Sequence, residues 1–190
     1  MRSEYVDHSN DAIWQKAVER NGSICDSRRS ADDLTSLATH LFMKNLSPHI
    51  RPADVSDVRA MFHVRASVGE NTLSAEALSA MGITPEAIAL AITSSPCAWV
   101  ATIQEEVVGF AMVDLDSACL FALFVLPGYE GGGIGTRLTQ ICERALFERH
   151  STAWLETADG SRAAQLYRYL GWGNDVDIGG GDIRLEKQRA

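Results

Sequence analysis

The apolar positions along this chain change period near residue 97. Before it they recur at helical spacing. After it come apolar runs rich in β-branched and aromatic residues, split by short polar turns. In the first 47 residues, Ile13, Trp14, Ala17 and Val18 share one helical face, and Leu34, Leu37, Ala38, Leu41 and Phe42 share another. The polar stretch NGSICDSRRS lies between them. This segment reads as an extension of two short helices, or as a partly disordered arm, and nothing in it suggests chemistry.

HIRPAD, residues 49–54, opens a second region, taken here as one domain over 48–190. Its start reads as a short strand. A helix over 53–68 follows, with Val55, Val58, Phe62 and Arg65/Ala66 stepping round it. Thr84 and Pro85 mark the next helix, as N-cap and first helical residue, running to about 93. CAWVATI, VVGFAMVD and CLFALFV then predict three strands of an antiparallel meander. The third, residues 119–125, is apolar throughout and predicts a central strand covered on both faces. An amphipathic helix to about 149 presents Ile134, Leu138, Cys142, Ala145 and Leu146 on one side. AWLE, residues 153–156, is the next strand, parallel to the third because a helix joins them. Ser161 caps a helix that Gly171 ends. Two weak strands, around 172–176 and 183–186, flank the turn GGGD. The fold class is α+β (α/β in looser terms): a mixed, mostly antiparallel sheet with helices on both faces.

Composition narrows the class. A hydrophobic fraction of 46% suits a globular chain with a sizeable core. No apolar run approaches the roughly 18 residues of a membrane span, and the N-terminus lacks the pattern of a secretory signal. The four cysteines are widely spaced and read as free thiols of a cytoplasmic protein. No His/Cys cluster has metal-ligand spacing, so no metal is expected. A net charge of -8 argues against nucleic acid. Between Arg65 and Arg137 there is no Lys or Arg, while eight acidic residues fall there. This interval reads as a solvated acidic face, or as a field that draws in a cationic small molecule.

The chemistry concentrates in PGYEGGGIGTRL, residues 127–138. A glycine-rich loop between a strand and a helix N-terminus aims unpaired N–H groups at one place, which suits an anion. No Lys follows a glycine as a P-loop requires, and GxGxxG fails because Thr136 stands at the third glycine position. Residues 130–135, EGGGIG, instead fit Q/R-x-x-G-x-G/A, and SRAAQLYRYLGW, residues 161–172, is similar to a form near RAxxLYxxLGF.

Together these resemble the GNAT superfamily of acyl-CoA-dependent N-acyltransferases; HIRPAD and VGENTLS agree. The resemblance covers residues 49–188 and implies acetyl-CoA as co-substrate and an amine, small-molecule or peptide, as acceptor. Backbone groups of Phe124 and Val125 would meet the pantetheine arm. Gly131, Gly133, Ile134, Gly135 and Thr136 would give N–H groups to the pyrophosphate, and Tyr167 stands where a tyrosine protonates the departing thiolate. That position also suits a core tyrosine. The resemblance implies no fixed base; Glu70 and Glu156 are the carboxylates placed to act as one. Dimers are common in the superfamily, which leaves a homodimer open. Two positions depart from the pattern: Glu130 replaces Gln or Arg, and Gly160 replaces an Asn.

Overall fold

The computed structural model describes residues 47–69 and 74–190, so the expected N-terminal extension, and Glu70, lie outside the described residues. Strand β1 (His49–Pro52) leads through a 3-10 turn (Val55–Asp57) into helix α1 (Val58–Ser67). Helices α2 (Ala75–Ala80) and α3 (Pro85–Ser94) follow, with the Ser74 and Thr84 hydroxyls accepting from the Ala77 and Ala87 amides as N-caps. Then come β2 (Ala98–Ile103), β3 (Glu106–Asp114), β4 (Cys119–Val125), α4 (Ile134–Phe147), β5 (Thr152–Ala158), α5 (Arg162–Tyr169), β6 (Gly173–Gly179) and β7 (Asp182–Gln188).

The seven strands form one sheet in the order β1-β2-β3-β4-β5-β7-β6. All pairs are antiparallel except β4–β5, which the intervening helix makes parallel. The terminal strands are longer than the sequence suggests, and β7 inserts between β5 and β6. Strand alternation divides the sheet into two faces. Phe110 and Phe124 turn towards α1, whose Arg65 lies over the Phe124 ring. Gly109 turns towards α4, where an added Cβ would sit 3.3 Å from Ile134 Cγ2. The missing side chain lets the first turn of α4 lie directly on the sheet.

Strand β4 is central, but it is not covered throughout as its apolar run suggests. Phe121, Leu123, Phe124 and Val125 are half-buried. The reason is its weak union with β5, which consists of a single register pair, Cys119 with Trp154. Beyond that point the two strands part and leave a gap in the sheet. A β-bulge in the β3–β4 ladder falls at Phe121, opposite the step from Met112 to Val113. The extra residue bends the strand locally, which is how bulges commonly re-aim side chains beside functional sites.

HIRPAD acquires a structural meaning. The Arg51 guanidinium donates to both Asp57 carboxylate oxygens, at 2.6 and 2.8 Å, and the Asp54 amide donates to the same carboxylate at 2.8 Å. This clamp joins β1 to the start of α1. The hydrogen bonds from Arg51 hold the Asp57 carboxyl below its ordinary pKa, against the opposing effect of burial. A carboxyl depressed in the folded state adds stability above its unfolded value, near 3.9, and loses it as pH falls through the folded value. Asp57→Asn is therefore expected to cost about 1–3 kcal/mol at pH 7 in urea denaturation. The difference from wild type should shrink below about pH 4; a pH-independent difference would show that charge is not what the clamp uses.

Candidate active site

The glycine loop follows β4. Gly128, Gly131 and Gly133 take positive φ values of 95°, 74° and 80°, a region costly for residues with a Cβ. Gly133 is the N-cap of α4 and no side chain caps the helix. The first intrahelical bond runs from the Arg137 amide to the Gly133 carbonyl at 3.0 Å. The N–H groups of Ile134, Gly135 and Thr136 therefore have no acceptor within the helix and project from its positive end. Gly135 has a different reason to be glycine. A Cβ there would lie 3.1 Å from Leu166 Cδ2 of α5 and 3.8 Å from Leu123 Cδ2 of β4. The loop, α5 and the parted section of β4 thus meet at one point.

Glu130, the departure from the family pattern, has a partner. Arg162 Nη1 donates to its carboxylate at 2.6 Å, across an exposed surface. The loop position that usually carries a donor carries an acceptor instead, and the cation comes from the first residue of α5. Arg137, by contrast, donates to the Pro48 carbonyl at 2.6 Å and ties α4 to the chain entering β1.

The gap exposes particular backbone groups. The Leu126 amide donates to the Val108 carbonyl at 2.8 Å, and the register pairs Phe110 with Phe124 and Gly109 with Val125. Hydrogen-bonded and non-hydrogen-bonded pairs alternate along such a ladder. Phe124 therefore exchanges its backbone bonds with Phe110, while the N–H and C=O groups of Leu123 and Val125 turn towards β5. The Phe124 carbonyl oxygen would indeed lie only 3.0 Å from a Cβ on Gly109. The open edge is Leu123 and Val125. Phe124, expected to offer its backbone as well, is tied to β3 and reaches the site only through its ring.

Tyr167 sits on the buried face of α5, edge-on to Trp172 with ring centroids 6.1 Å apart. Its hydroxyl makes no hydrogen bond among the described residues. Burial pushes its phenol up, and the nearby Cys142 and Cys119 add to the shift. Glu156 lies on β5, but Arg184 donates to its Oε1 twice, at 3.1 and 2.8 Å. That guanidinium also stacks on Trp154, 4.1 Å from the ring centroid. The carboxylate is thereby held in a side-chain network. Cys97, Cys119 and Cys142 are free and buried, and burial pushes each thiol up, so they pack as small apolar groups. Among the described residues no group of three His, Cys, Asp or Glu is placed to hold a metal ion. Nor is any helix there long and apolar enough to cross a membrane.

On the α1 face, next to Phe124, a narrow cleft of about 30 Å³ opens between α1, α3 and the sheet. Phe110, which reads from sequence as core, forms part of its floor beside Met112 and the bulged Phe121. Arg65 is its one charged lining residue among the described residues. Arg65 stands in the apolar phase of α1, where a charge is out of place, and the sequence gives it no functional role. Four residues of the acidic interval do not line this cleft. Glu105 and Glu106 lie at the β2–β3 turn and Asp114 and Asp116 at the β3–β4 turn, at opposite ends of the meander. Their placement gives no support to a field drawing in a cationic acceptor.

Comparison with known proteins agrees with this geometry. The family model for the Acetyltransferase (GNAT) family matches residues 69–172, more than half of the chain. The protein belongs to the GNAT acetyltransferase family. It is similar, at 36% identity over 82 residues, to the [ribosomal protein bS18]-alanine N-acetyltransferase of Haemophilus influenzae. That match covers 40% of this chain and 53% of the relative, so the chain spans about half the length of the curated relative it matches. Among solved structures it resembles the PaiA N-acetyltransferase of Thermoplasma acidophilum, in complex with coenzyme A. The TM-score is 0.62 and the identity 18%, over 76% of this chain and all of the other. It also resembles yncA of Salmonella typhimurium with its cofactor acetyl-CoA, at TM-score 0.58 and 15% identity, over 75% and 94% of the two chains.

The two kinds of glycine can be separated experimentally. Gly133→Val forces a β-branched residue into φ 80° and should weaken acetyl-CoA binding about tenfold by calorimetry. Gly132 has no positive φ, and an added Cβ would meet only the Tyr129 carbonyl, at 3.6 Å. Gly132→Ala should therefore bind within about twofold of wild type. Equal losses in both would refute the assignment.

Proposed function

We propose that the protein transfers an acetyl group from acetyl-CoA to a primary amine by direct attack, in the cytoplasm. The observation that carries this reading is the juxtaposition of two unsatisfied backbone surfaces. The uncapped first turn of α4 suits a pyrophosphate. The open edge of Leu123 and Val125 suits an extended, amide-bearing arm lying alongside it as a strand would. A long anionic thioester such as acetyl-CoA has both parts in that order, and supplies the activated acetyl group when bound.

The chain's own groups then have definite tasks. The Val125 N–H, on the open edge, donates to the carbonyl oxygen as negative charge gathers there. The Tyr167 phenol, kept neutral by burial, holds a proton for the leaving sulfur. The attacking amine must first lose its own proton, since an alkylammonium has a pKa near 10. Glu156 is engaged by Arg184, so that proton leaves through water or to Glu70, which lies outside the described residues. The relative named for the alanine of a ribosomal protein supports an amine acceptor, and both a free amine and a peptide N-terminus fit the reaction.

Thiol release from acetyl-CoA across an amine panel tests the reading. Tyr167→Phe should lower kcat about 100-fold with acetyl-CoA affinity unchanged. Wild-type turnover in that variant would remove Tyr167 from the general-acid role. Wild-type kcat/KM should rise with pH towards the amine's own pKa. Tyr167 should impose no falling limb below about pH 10, because its raised pKa keeps it protonated there. Acetyl-CoA binding without thiol release for any amine would instead mark a non-catalytic acyl-CoA sensor.

A further inference from the structure

We infer that Arg65 receives a carboxylate on the acceptor, so that the amine is amino-acid-like: a carboxylate and an apolar side chain on one small molecule. This rests on the acetyltransferase reading of the neighbouring gap. Its own support is separate. Arg65 Nε and Nη2 are buried, and among the described residues neither has a hydrogen-bond partner. Three other arginines of the structure are paired with carboxylates. Arg51 meets Asp57, Arg168 meets Asp159 and Asp175, and Arg184 meets Glu156. A buried guanidinium without an anion is costly, and arginine cannot escape by losing its proton. Burial lowers its pKa.

The two orphaned nitrogens are adjacent, and together they form the side-on edge of the guanidinium fork. That edge matches the two oxygens of a planar carboxylate. The ring of Phe124 lies 4.8 Å from the guanidinium carbon and fixes the plane of the fork. Phe124 also precedes Val125 on β4, so Arg65 stacks on the strand that carries the proposed donor to the reacting carbonyl. The remaining described walls are apolar, including Met61, Ile83, Ile88 and Met112, and among the described residues they offer no second charge to pair with a cation. The cleft holds about 30 Å³, room for a carboxylate-sized group once the side chains covering the two buried nitrogens shift aside, with the rest of the molecule towards the open side.

The test compares leucine, methionine and phenylalanine with their amides and their decarboxylated amines as acceptors for the full chain. Wild type should prefer the carboxylates at least tenfold in kcat/KM. In Arg65→Met that preference should fall to within about threefold, acetyl-CoA affinity by calorimetry should be unchanged, and the Tm of the ligand-free protein should rise because an unpaired buried charge is gone. Arg65→Lys, which keeps the charge but loses the fork, should fall between the two. Amides or decarboxylated amines matching the carboxylates in wild type, or a preference that survives in Arg65→Met, would overturn the inference. Calorimetry with N-acetylleucine separates this failure from failure of the enzyme reading. If no amine is turned over, binding of N-acetylleucine that Arg65→Met abolishes still supports the carboxylate site, and absence of binding overturns it.

Discussion

The constraint on which the structure depends is the parting of β4 from β5. One register pair joins them, and beyond it the central strand keeps hydrogen bonds on one side only. Backbone groups left open inside a domain carry a desolvation cost unless something meets them. The protein places that opening beside the uncapped end of α4 and floors it with apolar side chains. Open strand backbone and the positive end of a helix are thus brought side by side.

Packing around the opening is correspondingly exact. Gly109 admits the first turn of α4 to the sheet, and Gly135 admits Leu166 of α5 to the same point. The Glu130–Arg162 pair links the loop to α5 from the solvent side. On the opposite face, the bulge at Phe121 helps shape the narrow apolar cleft beside α1. Loop, helices and strand are coupled through a few side chains, so a change at one glycine should be felt by binding before it is felt by the fold.

Features of this fold that rest on local chemistry were legible in the sequence. The Thr84–Pro85 and Ser161 helix starts, the Gly171 stop and the three-strand meander follow from capping, turn chemistry and periodicity within a few residues. The glycine loop was legible as a turn leading into a helix start for the same reason. What escaped depends on pairings distant along the chain. Arg162 lies 32 residues from Glu130, and β7 enters beside β5 only once the sheet is assembled. The apolar run of β4 resembled a fully covered strand because a strand bordering a gap has the same composition. Arg65 stood in an apolar phase, but only the structure shows that its Nε and Nη2 are buried with no acceptor among the described residues.

The central claim is that Leu123, Val125 and the first turn of α4 form one continuous binding surface for acetyl-CoA. Amide hydrogen exchange followed residue by residue, with and without acetyl-CoA, addresses it directly. Binding should slow exchange at Val125, Leu123, Ile134, Gly135 and Thr136. Phe124, already bonded to β3, should change little. Unchanged exchange at Val125 and at the α4 first turn in the presence of saturating acetyl-CoA would contradict the account.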